Sequence, residues 1–290
     1  MAVCYLISDN LQDWEEILLK PEPLVSLSAP GVNALVSPQG GRISSLNVGG
    51  LELLGGARLA GVPAGILSGC FPMAPYAGRV RDGTFRFGAS NVQLPRQLAG
   101  HAIHGLLWDV GWEVDGEGRI SAQLDERWPF GGSVQQTFSL TRDSLTACLS
   151  LTAGTEPMPY SLGYHPWFCR RLGRGGDVEL RLNLEAHYAT DVAGLPTGRL
   201  QSPGVGPWDD CFAVSTPEQV LHWPGAMTLA IQSAAPNVVV FDKLADVVCV
   251  EPQSAPPDAL NLDEPAVLQP HQSATLNMRL AWQLLAPESA

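Results

Sequence analysis

Strict alternation of apolar and polar residues with a period of two limits what this chain can fold into more than any other feature of it. Val178, Leu180, Leu182 and Leu184 alternate with Glu179, Arg181 and Asn183. In an extended chain that period sends one set of side chains to a core and the other to water. Leu145, Ala147, Leu149 and Leu151 repeat the pattern between Thr146, Cys148, Ser150 and Thr152. So do Leu276, Met278, Leu280, Trp282 and Leu284 between Asn277, Arg279, Ala281 and Gln283. These three segments predict half-buried antiparallel strands.

Shorter β-prone runs predict further strands at 25–27, 42–48, 84–87, 120–124, 134–140, 220–223, 227–231, 238–241 and 247–250, separated by Gly, Pro, Asn and Asp turn signals. The 30 glycines and 24 prolines are spread along the whole length, which matches many short elements joined by tight turns. A helix is predicted only over Asn10–Lys20, capped by Asp9 or Asn10 and stopped by Pro21. With no βαβ rhythm, repeat or linker, the expectation is an all-β chain. It reads as one large antiparallel β-sandwich, a single domain over 1–290 with residues 1–23 as an extension packed on it.

Composition bounds the partners. At 45% hydrophobic and 16% charged residues, the chain can bury a substantial core without metals or disulfides. Its formal net charge of -12 repels phosphate backbones and anionic membranes, so neither nucleic acid nor membrane is an expected partner. The six cysteines form no CxxC pair and no zinc-like spacing; they read as buried hydrophobes in a reducing compartment. The first residues carry no basic region and no long apolar run, which predicts a cytoplasmic protein.

Four segments join polar or titratable residues to turn residues: APYAGRVRDGTF around Arg79, AGHAIHGLLW around His104, PYSLGYHPWF around His165 and VCVEPQSAPPDALN around Glu251. Sites tend to be built where such loops meet strand ends. In this order, with Asp209 opening DDCF and LPTG at 195–198, they resemble the aldose 1-epimerase family. The resemblance spans roughly Val32 to Leu284. In two places the chain departs from the common pattern. Gly78 stands where an Asn usually precedes the Arg, and a single Gly105 followed by Leu106 replaces a Gly-Gly pair.

The resemblance implies a galactose mutarotase-like sandwich that interconverts the anomers of an aldose without cofactor or metal. It assigns Glu251 as base and His165 as acid, with Arg79, His104 and Asp209 binding the sugar. The adjacent Asp210 and Arg81 leave open which member of each pair faces the pocket. Anomer exchange needs a proton taken from the C1 hydroxyl and one given to the ring oxygen. A carboxylate with an unperturbed pKa near 4.3 and an imidazole near 6.5 suit those roles.

His165 is expected to share a strand face with Gly163 and Trp167, at a solvent-accessible lip of the sheet, and Trp167 or Phe168 offers an apolar face to the pyranose. Glu251 is expected to open a loop directly after a strand. His101 and His104 form an HxxH without a third ligand, so a metal pair is not expected; His101 is a secondary sugar contact. Two rival functions remain: a hexose-6-phosphate 1-epimerase, with Arg170, Arg171 and Arg174 as a basic cluster, and a non-catalytic carbohydrate-binding or sugar-sensing protein. A monomer or homodimer taking a small sugar completes the expectation.

Overall fold

The computed structural model describes residues 24–262 and 264–286; the Asn10–Lys20 helix and the 1–23 extension lie outside them. Among the described residues the chain is all-β, with helical geometry confined to 3-10 turns such as Ala64–Ile66 and Ala259–Asn261. No helix among them is long and apolar enough to cross a membrane.

Two antiparallel sheets carry the fold. The larger has eleven strands. Its path runs Val25–Ala29, Val32–Ser37, Arg42–Val48, Cys70–Met73, Gly163–Cys169, Val247–Gln253, Asn237–Phe241, Asp209–Ala213, Ala186–Thr190 and Pro196–Gln201, and Leu51–Glu52 branches from the third. The second sheet has eight strands, in the order Glu113–Gly116, Arg119–Gln123, Ser133–Leu140, Ser144–Thr152, Ser273–Leu284, Met227–Gln232, Glu218–Trp223 and Glu179–Arg181.

The alternating segments lie where their patterns put them. Leu145, Ala147, Leu149 and Leu151 are buried and pair in register with Leu280, Met278, Leu276 and Ala274 across the centre of the smaller sheet. Burying one such aliphatic side chain contributes on the order of 1.5–3 kcal/mol. Val178 to Leu184 keeps its alternation, its apolar members packing on the core, but ladders over Glu179–Arg181 alone. Past that point the side chain of Gln219 takes the N–H of Asn183, an arrangement suited to a sheet edge.

The two sheets share one hydrophobic core, which includes Leu149 and Leu280 from the small sheet and Tyr164, Phe168, Val240 and Val250 from the large one. The reverse face of the large sheet is also covered. There Phe71, Met73, Trp167 and Cys249 join Ile66, Leu67, Ile103 and Trp108 in a second apolar cluster. The strands at the middle of the large sheet therefore bury both faces, and buried strands read as continuous apolar runs instead of alternating ones. Every residue of Val247–Gln253 is buried, and so are the first six of Gly163–Cys169.

Candidate active site

The reverse face of the large sheet is laid out in cross-strand rows. Met73, Gly163, Gln253 and Asn237 form one row by register; Trp167, Cys249, Phe241 and Asp209 form another. Between them, Phe71 pairs with His165, while Glu251 pairs with Val239 and Val239 with Cys211. The ladder between Gly163–Cys169 and Val247–Gln253 is made at Gly163 and again from Trp167 onward, and lapses across Tyr164, His165 and Pro166. A proline has no N–H to give a ladder, so Pro166 sits at the gap on which the site is centred.

Two positional expectations are corrected. His165 is not at an accessible lip: it is 5% exposed, in a strand flanked on both sides. Glu251, 2% exposed, does not open a loop, because its strand runs on through Pro252 to Gln253. The strand outlasts the Val247–Val250 run because the polar side chains of Glu251 and Gln253 point to the site while Pro252 fills the core side.

Burial of this kind makes the pair act as a unit. Nε2 of His165 lies 3.3 Å from Oε1 of Glu251. The imidazole is stacked between the rings of Phe71, 4.7 Å away between centroids, and Trp167, 5.0 Å away. Loss of water disfavours both charged forms. It pushes His165 down to about 3 and Glu251 well above the usual carboxylate range. The values expected for isolated side chains therefore do not apply. Both shifts favour the uncharged forms, a carboxylic acid beside a neutral imidazole.

Gln253, which the sequence reading passed over, supports this pair. Its Nε2 donates to Oε2 of Glu251 at 3.1 Å. The side chain is fully buried and borders the cavity, and its Oε1 accepts no hydrogen bond among the described residues. The gap of two residues from Glu251 would have placed it on the same strand face, had the strand been carried past Val250. Phe71, the second ring of the imidazole sandwich, left no sequence signal at all.

Arg79 and His104 arrive on neighbouring turns. Arg79 pairs with Ile103 in a short ladder, and the N–H of His104 donates to the carbonyl of Gly78 at 2.7 Å. Gly78 has φ +66° and a Cβ there would lie 2.8 Å from the ring of Pro257, which accounts for a glycine in place of the usual asparagine. His104 itself takes a positive φ of 57°, a conformation uncommon outside glycine. Gly105 follows at φ +79°, where a Cβ would fall 2.1 Å from the carbonyl oxygen of Ala74. His104 stands edge-on to His165, ring centroids 4.8 Å apart. Burial, with the nearby His165 and Arg79, holds it well below the usual histidine range, so it meets a ligand as a neutral imidazole.

The paired alternatives separate. Arg81 is spent on Asp191 at 2.7 Å and on Asp258 at 3.5 Å, whereas Arg79 borders the cavity and bears electrostatically on both Glu251 and His104. Asp209 and Asp210 both border the cavity, but Oδ1 of Asp210 is engaged by Nε2 of His187 at 3.0 Å. Asp209 shares the row of Phe241 and raises Glu251 further by like charge. Trp167 lines the cavity; Phe168 points to the opposite face and belongs to the main core. His101 accepts a hydrogen bond from the N–H of Asp82 at 3.0 Å and is not among the cavity residues.

The cavity above these rows measures about 180 Å³, below the roughly 300–1,000 Å³ of sites for drug-sized ligands, and fits a single sugar ring. Within metal-ligating reach of one another are His165, Cys249 and Glu251, whose ligand atoms all lie within 4.8 Å. Thiol ligation needs the thiolate, and burial pushes Cys249 well above the usual range.

The sequence pattern of the family described as aldose 1-epimerase matches residues 23–281. The uncharacterized protein YphB of Escherichia coli K12 is 26% identical over 295 residues, covering 89% of this chain and 99% of its own. The fold is shared with a galactose mutarotase-like protein from Clostridium acetobutylicum, at a TM-score of 0.78 and 17% identity over 90% of this chain and 95% of that one. It is shared equally with a galactose 1-epimerase from Lactobacillus acidophilus, at 0.74 and 16% over 97% and 98%.

Proposed function

The chain belongs to the aldose 1-epimerase family, and from that premise we propose that it interconverts the α and β anomers of a free aldose. The observation that carries the reading is the buried contact of His165 and Glu251 on the floor of a ring-sized cavity.

Transfer of the carboxylic proton of Glu251 to His165 gives a carboxylate and an imidazolium. Glu251 then takes the proton of the C1 hydroxyl as the bond from C1 to the ring oxygen breaks, and His165 gives its proton to that oxygen. The products are an open-chain aldehyde, a protonated Glu251 and a neutral His165. After rotation about C1–C2 the same two transfers run backwards and close the ring on the other face. The neutral pair favoured by burial is thus also the state that accompanies the aldehyde.

The rings of Phe71 and Trp167 stabilise the imidazolium through their faces, and Arg79 and Gln253 stabilise the carboxylate. Each positioned proton transfer is typically worth about 10² to 10⁴ in rate. The polar groups of His104, Arg79 and Asp209 suit hydroxyl recognition, which adds orientation.

A 6-phosphate substrate is the weaker reading. Arg170 donates to the carbonyls of Leu244 and Asp242, Arg171 pairs with Asp177, and Arg174 donates to the carbonyls of Gly225, Ala226 and Leu285. None of the three borders the cavity. A pure binding role leaves the matched proton donor and acceptor without a purpose. Proton NMR exchange spectroscopy on an equilibrated aldose tests the proposal: cross-peaks between the anomeric protons should grow with enzyme and fail to grow with Glu251→Gln.

A further inference from the structure

One part of the cavity lining is aliphatic and aromatic. Next to the row of His165 and Glu251 come Trp167 and Phe241, and Leu59, Val62, Ile66 and Leu67 of the same apolar cluster also line the cavity. These residues extend the second apolar cluster into the cavity. Several backbone polar atoms of these aliphatic residues already have partners. Val62 donates to the carbonyl of Leu59, Ile66 to Pro63 and Leu67 to Ala64. The carbonyls of Leu67 and Ile66 accept from Ala57 N–H and from Nε1 of Trp167. Asp209, in register with Phe241, is a polar side chain next to this apolar lining.

Another part is polar. Arg79, His104 and the unpartnered Oε1 of Gln253 gather there. A hexopyranose has ring hydroxyls at successive carbons and one exocyclic hydroxymethyl. Ring hydroxyls placed on the polar part leave the exocyclic carbon to the aliphatic one, where a buried hydroxyl loses its water without gaining a full set of partners.

On the footing of the anomer-exchange reading, we propose that the preferred substrate is a 6-deoxyhexose whose C5 methyl group packs against Leu59, Val62, Trp167 and Phe241. The methyl displaces water from the wall and leaves no polar atom stranded. The corresponding pentose, lacking C6, leaves the wall bare.

The test is a homomorphous series. D-Galactose, D-fucose and L-arabinose share ring stereochemistry and carry CH₂OH, CH₃ and H at C5; D-glucose with 6-deoxy-D-glucose, and L-mannose with L-rhamnose, extend it to other configurations. Anomerisation of each is followed by NMR exchange. The proposal predicts that the best-used configuration is turned over roughly 10- to 100-fold more efficiently as its 6-deoxy form than as its hydroxylated form, the range set by a misplaced hydroxyl or missing methyl in an apolar pocket. Where a pentose shares that configuration, it should lag by a similar factor. Val62→Thr, nearly isosteric but carrying a hydroxyl, should narrow the gap by improving the hydroxylated sugar.

Equal or better turnover of the hydroxylated members overturns the 6-deoxy proposal while leaving anomer exchange standing. No acceleration of any sugar in the series overturns anomer exchange, and this proposal with it.

Discussion

Nε2 of His165 and Oε1 of Glu251 face each other at 3.3 Å inside a sheet whose two faces are both covered. Both groups are buried, and they lie close enough for the charge state of one to bear on the other.

The pH dependence of kcat/KM should have widely separated limbs. On the acid side activity falls when the pair takes up a second proton, and burial pushes that event down to about 3 for His165. On the alkaline side it falls when the pair loses its proton, which burial moves well above the ordinary carboxylate range. The acid limb is expected far below the ordinary histidine range; an acid limb near pH 6.5 would mean that His165 titrates as an exposed histidine.

Stability should move against activity in Glu251→Gln. A carboxyl whose folded pKa lies above its unfolded value of 4.5 supports the fold fully below that pH. Its contribution is lost as pH rises through the folded value. The amide never ionises, so the variant should match the wild type near pH 4 and gain a Tm advantage that widens with pH. Thermal melts at several pH values read this, while turnover falls by about 10² to 10⁴.

Gln253→Leu removes the hydrogen bond that holds Oε2 of Glu251. Bonds to charged groups contribute about 1.5–3 kcal/mol, so kcat should fall roughly 10- to 100-fold. Because Gln253 lowers Glu251, its loss should also shift the alkaline limb upward. An unshifted limb would reduce Gln253 to a packing role.

Arg79→Met should raise KM and move the alkaline limb the same way, since Arg79 also lowers Glu251. Arg81→Met should leave that limb in place, because Arg81 is paired to Asp191 and Asp258 instead. Steady-state kinetics across pH on the two variants separates them.

Gly105→Ala should cost stability by about 1–3 kcal/mol through backbone strain alone, before the clash with the carbonyl of Ala74 is added. The same substitution should displace His104, so kcat/KM should fall even where the protein remains folded. Denaturant melts and kinetics on one preparation check both.

The class of the fold was legible because Leu145 to Leu151 and Leu276 to Leu284 lie in a sheet with differently filled faces, and such strands alternate. The large sheet was less so. Tyr164, Pro166 and Phe168 fill the core while His165 and Trp167 fill the site, so Gly163–Cys169 carries no alternation to read. The same double burial hid the end of Val247–Gln253, and with it Gln253. The chemically distinctive residues were legible by their order along the chain. Their titration was not, because the stacking of His165 between Phe71 and Trp167 brings together residues distant in sequence. Arg79 and Arg81 could be separated only once Asp191 and Asp258 were in place around Arg81.

Anomer exchange by His165 and Glu251 can be read by polarimetry on freshly dissolved α-galactose, α-glucose and their 6-deoxy counterparts, with wild type, Glu251→Gln and His165→Asn compared at one protein concentration. The wild type should speed the approach to equilibrium rotation for at least one sugar, and both variants should return it close to the uncatalysed rate while remaining folded. Unchanged rates with every sugar, or near-wild-type acceleration by either variant, would contradict anomer exchange by this pair.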